Sequence, residues 1–357
     1  MSTTTGHQSP SRIVRWGVIG TGTIAAAFAS DIRLARNAEL AAVCSRTEAS
    51  AIAFARRFDG IRAISALPVL VCDPSIDAVY IASPNAVHFE QARQLIDAGK
   101  SVLVEKPLAI SSAQARQIAA LASEKGVFAM EALWTLYLPA LQRVRGLLAE
   151  HAIGPITGVR AELAFERAYD EESRFFAPAL GGGSLLDLGL YPIALTIALF
   201  GAPRTVEGSW RSAPTGVDFS AKLFLGYDAF EAQLSCGFDR NGGNRFIIEG
   251  KQGVIVIDAP FLKASRVIVT TTGTARRLVV PKGDGRLAKR VSRMARALPL
   301  PGLKVWPHIF PGYGLQFEIE AASSAIAKGR QEDPRMPLRN SIAALEIIDA
   351  ILTQPSL

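Results

Sequence analysis

Apolar residues along the first 130 positions come in short, nearly unbroken runs separated by longer stretches of helical period. The runs at 13–19, 40–45, 78–82, 101–104 and 127–129 predict strands, and the stretches at 23–36, 47–58, 86–98 and 111–125 predict helices. Strands that alternate with helices and carry few polar residues imply a parallel sheet covered on both faces. After Gly154 the rhythm changes. Strand patterns at 156–165, 205–211, 221–227, 229–237, 246–250, 254–258 and 267–272 follow one another with turns between, interrupted by one apolar helix at 184–200. Helices at 315–328 and 341–353 close the chain. The reading is an α/β Rossmann domain followed by an α+β domain with a mainly antiparallel open sheet. The expected division is a loose leader at 1–12, a dinucleotide domain at 13–135, a substrate and oligomerisation domain at 136–335, and a C-terminal helix at 336–357 that packs back on the first domain.

The junction of the first strand and first helix reads Gly20-Thr21-Gly22-Thr23-Ile24-Ala25. Gly20 permits a tight turn, Gly22 lets backbone approach a pyrophosphate, and Ala25 lets helix and strand pack closely. The helix amino end then offers free N–H groups to the phosphates. The second strand ends Ser45-Arg46-Thr47 and has no acid until Glu48. An acid there would bind a ribose 2′-hydroxyl. A guanidinium with two hydroxyls beside it suits a 2′-phosphate instead. NADP(H) is therefore favoured over NAD(H).

Hydride exchange between an alcohol carbon and nicotinamide needs a group that takes or gives the hydroxyl proton. Lys106 falls just past the end of a parallel strand, where open α/β sheets hold ligands. Asp187 and Tyr191 are four apart on a predicted helix and share one face.

Several segments together resemble the Gfo/Idh/MocA oxidoreductases. They are the glycine turn, Ser83-Pro84-Asn85-Ala86-Val87-His88, Glu105-Lys106-Pro107, Met130-Glu131-Ala132-Leu133-Trp134-Thr135 and the Gly181–Pro192 segment. The last two look like the branch of dimeric dihydrodiol dehydrogenases and NADP-dependent D-xylose 1-dehydrogenases. The resemblance implies an NADP(H)-dependent enzyme acting on a sugar, cyclic polyol or dihydrodiol hydroxyl or carbonyl. It implies Lys106, Tyr191 and Asp187 as catalytic residues, with Asp187 orienting Tyr191, Lys106 or the sugar and a hydrogen bond from the Lys106 ammonium lowering the Tyr191 pKa; it also implies a cis bond before Pro107 and a homodimer or higher homo-oligomer. Ser83, Asn85, His88, Glu105, Lys106 and Trp134 join Gly20 to Ile24 and Ser45 to Thr47 as cofactor residues, although His88 at a helix start equally suits hydrogen bonds to backbone and Glu105 suits local pairing that sets its loop. Within this pattern Tyr191 or Lys106 can be the proton donor, and Trp134 can be an aromatic wall or core. Relatives often carry Arg where this chain has Leu136, which implies a less polar pocket.

The same fold can also serve as a non-catalytic nucleotide sensor. The joint presence of Lys106, Asp187 and Tyr191 favours an enzyme.

Charge adds one further candidate. The net charge is +7, yet the stretch from Lys263 to Lys304 holds eleven Lys or Arg and one acid. Arg286, Lys289, Arg290, Arg293 and Arg296 have helical spacing there, without a nucleic-acid recognition motif or aromatic row. A solvated insertion is the reading preferred. Three scattered cysteines and four unclustered histidines suggest reduced thiols, a cytoplasmic setting and no metal site. The most apolar window, 185–200, contains Asp187 and Pro192 and suits a buried helix rather than a membrane span.

Overall fold

The computed structural model describes residues 12–58, 60–271, 273 and 301–357. Strands β1 (Val14–Ile19), β2 (Ala38–Cys44), β3 (Arg62–Ile64), β4 (Ala78–Ile81), β5 (Ser101–Glu105) and β6 (Ala129–Ala132) form one sheet in the order β3-β2-β1-β4-β5-β6. Every pairing in it is parallel. The order reverses between β1 and β4, so their carboxyl ends border the crevice where such sheets bind dinucleotides. Helices α1 (Thr23–Asp31), α2 (Glu48–Ala55), α3 (Leu67–Val71), α4 (His88–Asp97) and α5 (Ser112–Lys125) make the crossovers.

Local chemistry explains the boundaries. Thr47 caps α2 by accepting the Ser50 N–H at 3.3 Å, and Ser111 does the same for α5 with Gln114 at 3.4 Å. Gly126 ends α5 with a left-handed φ of 67°. The predicted helix at 23–36 stops at Asp31 and continues only as a 3₁₀ turn, Ile32–Leu34. The Asp31 carboxylate accepts the N–H groups of Tyr313, Gly314 and Leu315 and thereby seats the amino end of a late helix, Gln316–Ala327. Beneath it, Phe28 stacks on Tyr80 at 4.0 Å, and Trp16 meets Phe28 edge-on.

The second sheet has eight strands: β7 (Ile156–Ala164), β8 (Thr205–Ser212), β9 (Asp218–Gly226), β10 (Glu231–Gly237), β11 (Phe246–Gly250), β12 (Gly253–Ile257), β13 (Arg266–Thr270) and β14 (Leu303–Pro307). It is antiparallel except for the parallel pair β7 and β10. Helices α6 (Pro139–Ala149) and α7 (Leu190–Phe200) accompany it. The segment Pro178–Phe200 has the length and apolarity of a membrane span, but 83% of its most apolar 18-residue window is buried inside the fold. Helices α8 (Gln316–Ala327) and α9 (Leu338–Leu352) then tie the parts together. Trp16 of β1 donates to Ser323 of α8. Asp349 of α9 accepts the Ser112 N–H at the start of α5, while Trp210 of β8 donates to the Gln354 carbonyl just beyond α9. The arginine run at 286–296 lies outside the described residues.

Candidate active site

Three loops meet above the carboxyl ends of β1, β4 and β5. Gly20 sits in the first of them with φ +109°, and a Cβ there would fall 2.5 Å from the Ala82 carbonyl oxygen. No residue but glycine fits that contact. Gly22 is different: a Cβ on it would meet nothing within 4 Å. Its open side faces space, and α1 begins there with no side-chain cap and no acid in its first turn. Orphan N–H groups with an uncovered approach fit a pyrophosphate. A cleft of about 380 Å³ at this point is lined by Thr21, Gly22, Thr23, Ser30, Arg57 and Tyr313. Arg46 is exposed one residue before the cap of α2 and makes no ion pair, with Glu48 or any other acid, among the described residues.

The second loop is a brace rather than a binding surface. His88 is fully buried, with Nδ1 2.8 Å from the Pro107 carbonyl and Nε2 2.9 Å from the Ser83 carbonyl. Burial holds its pKa below the ordinary histidine value despite the two carbonyls. The ring ties the Ser83 loop to the Lys106–Pro107 turn, whose bond is cis. Asn85 donates to the Gly181 carbonyl at 3.0 Å, and Ser83 donates to Gln91 at 2.7 Å. His88 thus takes the backbone-bonding role and not that of a cofactor contact, since both ring nitrogens are taken by carbonyls. Glu105 likewise takes the role of local pairing and not that of a cofactor contact. Its carboxyl points inward, accepting from the Tyr80 hydroxyl and from the Lys106 N–H, and burial pushes its pKa up to about 7.

Lys106 joins the end of β5 to the segment that carries Asp187 and Tyr191. Its Nζ donates to the Asp187 backbone carbonyl at 2.7 Å and to Asp187 Oδ1 at 3.0 Å. The carbonyl is free for a definite reason. Residues Leu185–Gly189 form a π turn, in which Leu190 N–H reaches back to the Leu185 carbonyl. In that pattern the partner of the Asp187 carbonyl is the N–H of residue 192, and Pro192 has none. The single helix expected at 184–200 is thus a π turn leading into α7, and the proline makes the turn useful. Burial is the largest influence on Lys106 and would lower its pKa. Asp187, with Tyr191 and Glu105 behind it, outweighs burial and holds the ammonium above the ordinary lysine value. Burial likewise would raise Asp187, but Lys106 and Arg174 hold it low.

Tyr191 takes a place different from the expected one. Lys106 Nζ lies 5.0 Å from the centre of its ring, over the face, while the phenol oxygen accepts from Trp134 Nε1 at 3.2 Å. The expected lysine-to-phenol hydrogen bond is absent, and Asp187 orients Lys106 instead of Tyr191. Burial raises the Tyr191 pKa further than Lys106 lowers it, so the phenol stays protonated at neutral pH. Trp134 is 8% exposed and acts on Tyr191. Leu136 is fully buried, so it forms no pocket wall and the expected apolar pocket does not follow from it.

The π turn is held by a residue that the sequence did not single out. Asp218, at the start of β9, accepts from Ser184 Oγ at 2.7 Å and from the Leu185 N–H at 2.6 Å. Gly183 makes room for it, since a Cβ there would lie 2.3 Å from Asp218 Oδ1. Burial pushes the Asp218 pKa up to about 7. Because the folded value lies above the unfolded one, the stabilisation exists at acid pH and is lost as pH rises toward 7. Asp218→Ala should cost roughly 2 kcal/mol by leaving a buried N–H unpaired. Asp218→Asn should unfold at a midpoint that changes less between pH 5 and 8 than the native one does. Urea denaturation followed by tryptophan fluorescence reads both.

The fold and this cluster define a two-domain pyridine-nucleotide oxidoreductase. Residues 14–133 match the oxidoreductase family with an NAD-binding Rossmann fold, and residues 141–256 match the GFO/IDH/MocA C-terminal domain. The chain belongs to the Gfo/Idh/MocA family. It is 27% identical to the Bos taurus trans-1,2-dihydrobenzene-1,2-diol dehydrogenase over 343 residues, covering 95% of this chain and 96% of that one. It is 35% identical to the NADP-dependent scyllo-inositol 2-dehydrogenase of Bacillus subtilis (strain 168) over 252 residues, 69% of this chain and 76% of the relative. A levoglucosan dehydrogenase complexed with NADH and levoglucosan shares the fold with a TM-score of 0.80 at 21% identity, over 95% of this chain and 96% of that one.

Proposed function

We propose that this chain is an NADP(H)-dependent oxidoreductase that interconverts a hydroxyl and a carbonyl on a sugar, cyclic polyol or dihydrodiol. The relatives named for dihydrobenzenediol and scyllo-inositol substrates support that range. One observation carries the chemical reading. Two donors are left unspent side by side where β5 ends. Lys106 has three N–H groups and Asp187 takes two of them. Tyr191 accepts from Trp134 and keeps its own proton free. An oxygen placed between them receives one hydrogen bond from each.

The nicotinamide of the bound cofactor supplies or accepts the hydride. Gly20 and Gly22 shape the approach of its phosphates, and the α1 N–H groups hold their charge. Lys106, fixed by Asp187, stabilises the negative charge that builds on the substrate oxygen during reduction. Tyr191 gives that oxygen its proton, and takes it back in the oxidative direction. His88 and Glu105 hold the turn that aims Lys106. The test is a spectrophotometric screen of sugars, inositols and dihydrodiols with NADP, and of the matching carbonyl compounds with NADPH. Absence of turnover across the whole panel, with NADPH bound, would leave the nucleotide-sensor reading instead.

Cofactor choice has its own test. Arg46 is free to pair with a 2′-phosphate. Charge-assisted hydrogen bonds of this kind are worth about 1.5–3 kcal/mol, so Arg46→Ala should raise KM for NADP roughly 10- to 100-fold. KM for NAD should change little. Equal losses for both cofactors would remove Arg46 from the 2′-phosphate site.

A further inference from the structure

The loop between β7 and the π turn delivers two arginines that the mechanism above leaves unused. Arg174 Nη1 lies 3.4 Å from Asp187 Oδ1, the same oxygen that already accepts from Lys106 at 3.0 Å. The Arg167 guanidinium lies 3.6 Å from the centre of the Phe175 ring, and that of Arg174 lies 4.2 Å from the same centre. Phe238 supports Phe175 edge-on at 5.6 Å. Arg167 has no carboxylate partner among the described residues, and its Nε is buried without an acceptor.

Lys106, Arg167 and Arg174 share one carboxylate, Asp187, which feels all three. Asp187 apart, no acid, Glu171 and Glu172 of the same loop included, forms an ion pair with either arginine among the described residues. Glu105 turns inward to Tyr80, and Asp218 holds Ser184 and Leu185. On the loop itself, Glu166 accepts from Asn241, and Asp170 accepts the Glu172 N–H within its own turn. Arg167 therefore forms no ion pair among the described residues, and Arg174 shares its one carboxylate with Lys106. Holding like charges close in a half-buried place is unfavourable unless an anion joins them. Guanidinium groups fixed on an aromatic ring keep their forks aligned for a carboxylate or phosphate.

We propose that the natural substrate is an anionic sugar or polyol derivative, whose carboxylate or phosphate pairs with Arg167 and Arg174 while its hydroxyl or carbonyl meets Lys106 and Tyr191. This rests on the oxidoreductase reading and narrows its substrate class. A neutral sugar fills the reacting position but leaves Arg167 without an anionic partner and Arg174 with only its shared contact to Asp187.

The experiment compares glucose, glucuronate and glucose 6-phosphate with the full chain and NADP. Binding of each to the NADPH complex is followed in parallel by cofactor fluorescence. At least one anionic sugar should exceed glucose in kcat/KM by tenfold or more, and the preference should shrink between 50 and 500 mM NaCl. The carboxylate and phosphate arms tell the two anions apart. In Arg167→Met and in the Arg167→Met, Arg174→Met double variant the anionic-to-neutral ratio should fall at least tenfold. Arg167→Lys should retain part of it, because charge persists while the fork is lost. Turnover that is indifferent to substrate charge, or a ratio untouched by Arg167→Met, overturns the proposal. Anion binding that Arg167→Met abolishes, in a protein that turns nothing over, supports the arginine site while the hydride-transfer reading fails.

Discussion

Exchange of Lys106 for methionine should lower kcat about a thousandfold in both directions, the usual loss when a preorganised donor to a developing oxyanion is removed. Methionine keeps the length of the side chain and deletes the charge. Cofactor binding should stay within a few-fold of native, because the phosphate contacts lie at Gly20, Gly22 and the start of α1. The variant also leaves a buried carboxylate. Asp187 is 9% exposed and would retain only the long contact from Arg174, itself half exposed. An uncompensated buried charge is costly, so Lys106→Met alone should be less stable than native. Adding Asp187→Asn removes that charge. The double variant should recover stability without recovering turnover. Steady-state kinetics, NADPH fluorescence titration and thermal unfolding on the same three proteins separate the two effects. Recovery of turnover in the double variant, or native turnover in Lys106→Met, excludes Lys106 from the chemistry.

Much of this arrangement was legible in the sequence, and the parts that were not share a physical cause. The glycine turn could be read because its chemistry is local: Gly20 and Gly22 lie two residues apart, between a strand and a helix. Lys106 could be placed because it directly follows a strand end. The short strand β3 and helix α3 escaped notice, since three residues followed by an Ala-Leu-Pro segment carry too little periodicity to register. Strand β6 begins two residues later than the pattern suggested and includes Glu131, a buried acid whose carboxylate accepts the Leu108 N–H at 2.8 Å. Charge in a strand core is invisible to an apolar count. The π turn was hidden because its apolar residues satisfy a helical period equally well. Pro192 gains its meaning only within that turn: five residues after Asp187, it has no N–H to offer the carbonyl. Asp218, Arg167 and Arg174 come from other elements, and sequence distance conceals their convergence on the π turn and on Asp187. The branch motifs pointed to a lysine–tyrosine hydrogen bond. Packing placed the ammonium over the ring instead, because the two polar bonds to Asp187 fix where Nζ can go.

That geometry sets how the reaction should depend on pH. Tyr191 and Lys106 both carry pKa values held above their ordinary ones, burial acting first on Tyr191 and Asp187 countering burial at Lys106. A group with a raised pKa keeps its proton as pH climbs through neutrality. Reduction, which needs a proton delivered, should therefore run flat from pH 6 to beyond 8 and decline only in the alkaline range. Oxidation needs the same group deprotonated, so its kcat/KM should rise about tenfold per pH unit over that interval. Tyr191→Phe removes the proposed donor and leaves Trp134 Nε1 without its acceptor. Losing a general acid or base typically costs 10²- to 10⁴-fold, and this variant should fall in that range for both directions. Its oxidative profile should also lose the unit slope, because the titrating phenol is gone. Conservation of the slope in a slowed Tyr191→Phe enzyme would transfer the proton to Lys106, with Tyr191 reduced to packing beneath the ammonium. Comparison of the two profiles under saturating cofactor, with the solvent isotope effect measured on the plateau, decides which side chain moves the proton.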